Sequence, residues 1–259
     1  MKKTKSILAL ALAFVLTVAG TAGITIAWLQ DDDTQKNTFT VGNVTIDLIE
    51  YGEDKDGTQV AFESEAALKK LLPVTGSAQN GTLENGVVKK VTVQNTGSED
   101  AYIRVHIAIP AILDNGDPGF NAGKNVLHFN YDKDSVGEGK WDWSKTTGAE
   151  YEGDWNYYET EINNVAYNVY VVTYESIVKS QETIAEYAMH QVYLDTNVTN
   201  DDLAGLDNKL GGTDPEIFDG RWDIHVVAEG VQAAGFDNAY DALNSAFGVP
   251  GADDYDPFN

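Results

Sequence analysis

The sequence predicts an all-β fold with small helices: an antiparallel two-sheet sandwich, jelly-roll-like, occupying residues 28–259 as a single domain with an acidic C-terminal tail. Three observations predict it. Short runs of alternating apolar and polar residues recur along the chain, and a period of two marks a half-buried strand. Clusters of Asn, Asp, Gly and Pro stand between these runs, where turns are needed. No cysteine occurs in 259 residues, so the core of one large β domain has to supply the stability. No internal repeat is visible.

The chain opens on Met1-Lys2-Lys3-Thr4-Lys5, followed by an uncharged apolar run from Ser6 to Ile26. A basic head and an apolar stretch make the pattern of an export signal, with the lysines held on the cytoplasmic side. Gly20-x-Ala22 and Thr25-x-Ala27 both offer the small side chains that a signal peptidase needs. The preferred cut lies between Ala27 and Trp28, just before the acidic Asp31-Asp32-Asp33. An uncleaved anchor is the alternative, since Ser6 to Leu29 could span a bilayer of ~20 residues. Removing residues 1–27 takes away three of the 17 basic residues and none of the 41 acidic ones, so the formal charge falls from −24 to −27. Such a surface repels nucleic acid and anionic lipid. No second apolar segment follows, so the expected product is secreted and spans no membrane.

Thr38–Val41 and Val44–Glu50 read as the first strands, with Val44, Ile46 and Leu48 on one face. Ser64–Leu72 has a short helical pattern ending at Pro73. Val87–Asn95 alternates, with Val91 and Val93 inward. After the turn Asn95-Thr96-Gly97-Ser98, Ala101–Ile109 alternates with Ala101, Ile103, Val105, Ile107 and Ile109 on one face, so the two runs are expected to form a β-hairpin. Val126–Tyr131 is a short strand. Gly137–Trp155 is aromatic, glycine-rich and charged, a long decorated loop or hairpin. Val165–Val178 and Thr183–Leu194 are long and β-prone, and Asn197–Gly220 is loop-like. In Trp222–Glu229 the inward set is Trp222, Ile224, Val226 and Ala228, which leaves His225, Val227 and Glu229 outward. Asn238–Phe247 is the one clear helix, with Asp237 as N-cap, Gly248 as C-terminal stop, and Tyr240, Leu243 and Phe247 at helical spacing. The tail from Pro250 is expected to be loose.

Three stretches carry a family resemblance. The junction Thr25-Ile26-Ala27-Trp28-Leu29-Gln30-Asp31 followed by Asn37-Thr38-Phe39-Thr40-Val41-Gly42-Asn43-Val44 resembles the exported proteins cut by the dedicated signal peptidase SipW, the TasA/camelysin family. Val91–Val105 is similar to that family's strand, N-T-G turn and Y-[IV]-R-V strand. Ala228–Asp237 resembles its endings. Together they cover about a quarter of the chain, and the junction is the most specific. The resemblance implies a jelly-roll-like protein of the cell surface or biofilm matrix, assembling into fibres with copies of itself and with matrix components. It further implies that an N-terminal strand freed by cleavage completes a neighbour's sheet. In this chain that strand lies within residues 28–50, with Phe39, Val41, Val44, Ile46 and Leu48 as the pocket-filling side chains. The alternative is that this segment is the first strand of its own domain.

The resemblance to camelysin-like proteins also implies a third reading, a zinc metalloprotease. A helical H-E-x-x-H, which puts two imidazoles beside a carboxylate base, is absent. His106, His128, His190 and His225 each stand alone on an expected strand, although His225 and Glu229 share a face that His106 could neighbour. Solvent-facing strand histidines are the commoner arrangement. No serine or cysteine nucleophile motif occurs, and no pair among the 41 acids is singled out for glycosidase chemistry. No catalytic residue and no cofactor is expected. Calcium at Asp114-Asn115-Gly116-Asp117 lacks the remainder of an EF-hand, and an ordinary turn is preferred. Leu72-Pro73-Val74-Thr75-Gly76 spells a wall-sorting motif but has no apolar segment or basic tail after it, and reads as a chance match. Trp141, Trp143 and Trp155 could stack on sugar rings, which would make a polysaccharide-binding module. Packing within a hairpin is the preferred reading of the same rings.

Overall fold

The structure, a computed structural model, describes residues 44–68, 71, 73–74, 86–114, 126–130, 139–143, 157–199, 202, 206 and 223–258. In chain order the elements are β1 (Ile46–Glu53), β2 (Gln59–Ala61), β3 (Pro73–Val74), β4 (Val87–Asn95), β5 (Ala101–Pro110), β6 (Leu127–Asn130), β7 (Trp141–Asp142), β8 (Tyr157–Ile162), β9 (Val165–Val178), β10 (Met189–Asp195), β11 (His225–Gln232) and the helix α1 (Ala239–Phe247). One sheet has the order β2-β1-β4-β10-β3, with β6 on the far edge of β10; the other has the order β11-β5-β9-β7, with β8 beside β7 on the same edge of β9. All pairs are antiparallel except β10 with β3. The chain is therefore an all-β two-sheet sandwich carrying the helix α1.

The inward rows match the alternation. Val91 and Val93 of β4 face Ile103, Val105, Ile107 and Ile109 of β5 in one cluster, joined by Val172, Met189 and Leu194. Each such side chain, fully buried, stabilises by roughly 1.5–3 kcal/mol. Val44 and Ile46 sit in this cluster and Leu48 packs against it, so all three side chains pack in the chain's own core, Ile46 and Leu48 from β1 and Val44 from just before it.

Val87–Asn95 and Ala101–Pro110 do not form the expected hairpin. Both edges of β4 are taken by β1 and β10, and both edges of β5 by β11 and β9. The N-T-G segment is instead a corner that carries the chain from one sheet to the other. Asn95 holds it: its side-chain amide donates to Glu99 O at 2.8 Å and Val178 O at 3.1 Å, and its Oδ1 accepts from Gly97 N at 3.0 Å. Thr45 O accepts from the backbone of Thr96 and Gly97.

Every residue of β5 is buried, on both faces. The reason is the C-terminal region. Ala239, Ala242, Leu243 and Ala246 of α1 pack on Tyr102 and Val231, and Phe258 packs on Ala108, Ile162, Tyr167 and Val169. The tail expected to be loose is thus laid across the outer face of the second sheet. The N-cap of α1 is Asn238 rather than Asp237, with its side chain accepting from Asp241 N at 2.9 Å. Its buried stripe is alanine-rich, and Tyr240 and Phe247 lie at the stripe's margin. The helix expected at Ser64–Leu72 is replaced over residues 64–67 by turns and bends, and Pro73–Val74 is strand β3. No described helix is long and apolar enough to cross a membrane.

Candidate functional site

Arg104 and His106 are two apart on β5, so they share a face, and it is the face opposite the inward row of Ile103, Val105 and Ile107. Antiparallel register sets Glu229 of β11 directly across from Arg104. A charged triplet is thereby placed on a sheet face, and α1 and the tail close over it. Arg104, His106 and Glu229 are 1%, 0% and 2% exposed.

The guanidinium makes four hydrogen bonds. Nε donates to Glu229 Oε2 at 2.5 Å, Nη1 to Asn244 Oδ1 at 2.8 Å, and Nη2 to Gly248 O at 3.1 Å and Tyr255 Oη at 3.2 Å. Arg104 therefore ties β5 to β11, α1 and the tail at once. It also puts a positive charge at the C-terminal end of α1, whose last turn has no basic residue of its own. Tyr255 Oη donates to Glu229 Oε1 at 2.9 Å, and His106 Nε2 stands 3.0 Å from Glu229 Oε2 and 2.8 Å from Tyr255 Oη. With the phenol proton directed at the carboxylate, the consistent tautomer has Nε2–H donating to Glu229. Glu229 then accepts from three donors. His106 Nδ1 is left buried without a partner, as is the hydroxyl of Tyr158, whose ring meets His106 edge-on at 6.4 Å.

Burial alone would raise the Glu229 carboxyl, but the charges and hydrogen bonds of Arg104 and His106 outweigh it and hold it at about 2. Burial pushes the His106 imidazole below its ordinary range, against the attraction of Glu229. Burial, then the Glu229 charge, pushes the Tyr255 and Tyr158 phenols up. At neutral pH the cluster is Arg⁺, Glu⁻, neutral His and neutral Tyr. Its chemistry is to clamp four elements together and to present one imidazole nitrogen that can take a proton.

The face shared by His225 and Glu229 does bring His106 to Glu229, and these two are buried rather than solvent-facing as expected, while His225 is half-buried. Arg104 takes the carboxylate, and His225 lies apart with its Nε2 3.2 Å from Tyr167 Oη. His128 pairs with Asp195 at 2.7 Å and stacks on Tyr193, and His190 meets Tyr187 edge-on. Among the described residues no group of three or more His, Cys, Asp or Glu is placed to hold a metal ion. Trp141 and Trp143 are 4% and 9% exposed, with their indole N–H groups donating to Glu186 O and Ala188 O. Their rings pack on Tyr174, Phe129 and Tyr170, so they build core and offer no face to a sugar. Asp114 is buried and accepts from Tyr170 Oη at 2.6 Å and from Asn168. Residues 115–119 of its loop lie outside the described residues, as do Ala27, Trp28, Phe39, Val41 and Trp155.

Arg104 and Tyr255 were not singled out by the sequence. The available signal was one arginine inside Ala-Tyr-Ile-Arg-Val-His-Ile-Ala-Ile-Pro and one glutamate inside Val-Val-Ala-Glu-Gly-Val: charges in otherwise apolar strands, which need each other if both are buried. No protein-family model, curated protein or solved structure matches the chain.

Proposed function

We propose that this is a secreted, non-enzymatic structural protein of the cell surface or matrix, which joins copies of itself through the segment preceding Val44. The observation that supports the reading is an open sheet edge beside the point where that segment enters. Over Ile46–Ile49, β1 is paired only on its β4 side among the described residues, because β2 reaches only Tyr51–Glu53. β11 is likewise paired only with β5. An edge with free N–H and C=O groups accepts an extended segment, with alternate side chains filling pockets. Val44, Ile46 and Leu48 pack in the chain's own core, so this reading takes residues 28–43 as the donating segment, with Phe39 and Val41 as its apolar anchors.

The test compares chains starting at Trp28 and at Asn43 by electron microscopy. A start at Tyr51 would remove five of the eight residues of β1 and confound folding with assembly. Filaments from the longer chain, none from the shorter, and none from a Phe39→Asp/Val41→Asp chain are expected. Filaments of equal length from all three would overturn the reading.

A further inference from the structure

Residues 249–258 cross the outer face of β5, β8 and β11 without strand pairing among the described residues; their internal backbone bonds are two short turns, Ala252 N to Val249 O and Tyr255 N to Ala252 O. What fastens this strap is side chains. Phe258 sits against Tyr167 and Val169, Gly251 presses on Tyr158 so closely that a Cβ would lie 3.1 Å from the tyrosine Cβ, and Tyr255 enters the charged cluster. Segments held by few contacts open at lower free energy than the sheet beneath them.

We propose that the strap is an acid-opened latch: a proton taken up by His106 releases Tyr255 and lifts residues 249–258 off an aromatic face formed by Tyr158, Tyr167 and their neighbours. The closed cluster balances one positive and one negative charge. A second proton on the imidazole adds a net positive charge in a dry site and creates an N–H at Nδ1, where the closed structure provides no acceptor. The groups facing His106 oppose relief. Arg104 on β5 repels the new charge; Glu229 on β11 attracts it but already accepts three bonds; Tyr255 on the strap and Tyr158 on β8 are neutral phenols; α1 contributes the neutral amide of Asn244. Asp256, which acts on Tyr158, belongs to the strap itself and leaves with it.

The sign follows. His106 is held below its ordinary value of 6.5 when closed and returns towards it when open. The closed form is therefore fully favoured above about pH 6.5 and loses up to about tenfold per pH unit below it, down to the closed-state value. The exposed aspartates of the strap titrate lower, near about pH 4, so above about pH 5 the imidazoles beside the strap are His106 and His225, whose ring lies 6.5 Å from that of Phe258, and His106→Gln separates the two.

The chain has no cysteine, so Asp254→Cys, at an exposed strap position, creates a single labelling site. A nitroxide there reports strap mobility in the full chain by electron paramagnetic resonance. The expected result is a reversible rise in the mobile-to-immobile ratio between about pH 7 and pH 5, by up to about tenfold per pH unit below about 6.5 and following one proton. His106→Gln keeps a donor to Glu229 but does not titrate, and should stay immobile throughout. Tyr255→Phe removes the phenol's bonds and should open at a higher pH than the parent. An immobile strap in the parent at about pH 5, or the same midpoint with His106→Gln, would overturn the latch. Should His106→Gln fail to fold by circular dichroism, an unchanged midpoint in Tyr255→Phe overturns it instead.

Discussion

Glu229 shows how little of a residue's role its own letter reveals. In the sequence it is one of 41 acids. In the fold it is the acceptor on which Arg104, His106 and Tyr255 converge. Removing its charge leaves a guanidinium buried and unpaired, so Glu229→Gln should cost about 3–5 kcal/mol in urea denaturation, far more than neutralising an exposed acid such as Asp254. Adding Arg104→Met to that variant should recover part of the loss, because the orphaned charge is gone. Glu229 also makes the fold acid-sensitive. Its folded value of about 2 lies below the ordinary 4.5, so its contribution, about 3 kcal/mol, is complete above 4.5 and fades as pH falls towards 2. A stability profile flat between about pH 5 and pH 2 would contradict the cluster as described. His106 adds a loss at higher pH, below 6.5, with the same direction.

At the scale of elements, most strands were legible and their partners were not. Val87–Asn95 and Val165–Val178 coincide with β4 and β9 because alternation is a property of the strand alone. Pairing is a property of the whole sandwich. Two strands separated by five residues look like a hairpin, but β1 and β10 claim β4 first, and the short connection has to turn a corner. That corner should be the sensitive point: Asn95→Ala leaves Glu99 O and Val178 O without their donor and should destabilise by about 1–3 kcal/mol, with an unchanged far-ultraviolet circular dichroism spectrum at native conditions. A second contact ties the sheets beside that corner, since Ile46 pairs with Asn95. A Cβ on Gly230 of β11 would stand 2.8 Å from Ile46 Cγ2 of β1. Gly230→Ala should therefore cost about 1–3 kcal/mol, and Ile46→Ala, harmful alone, should be less harmful in its presence. Additive losses in that cycle would remove the contact from the account.

At the scale of the whole molecule, 17 basic against 41 acidic residues give a formal charge of −24, which composition alone disclosed. Self-repulsion at that charge weakens the compact state, and salt screens it over a length of ~10 Å at 0.1 M. Raising sodium chloride from about 10 to 150 mM should raise Tm by roughly 2–4 °C, the equivalent of about 1 kcal/mol. A fall would mean that attractive pairs such as Lys89 with Glu50 dominate the surface. The two-sheet architecture was legible for the same reason as the strands. The closing of the second sheet's outer face was not, because the alternating polar letters Arg104, His106 and Glu229 imitate a solvated face. Only a knowledge of what α1 and the tail cover corrects it.

The register of β11 against β5 has a consequence in time. Arg104 and Glu229 are 125 positions apart, and Arg104 and Tyr255 are 151 apart. A chain extended only as far as β10 has the two inward rows but carries Arg104 and His106 on an uncovered face. Completing the sandwich is then a long-range search rather than a local zipping. Refolding from denaturant should be governed by this contact order, on the scale of milliseconds to seconds rather than microseconds, with the β5 amides that face β11, unlike those that face β9, protected only when β11 docks.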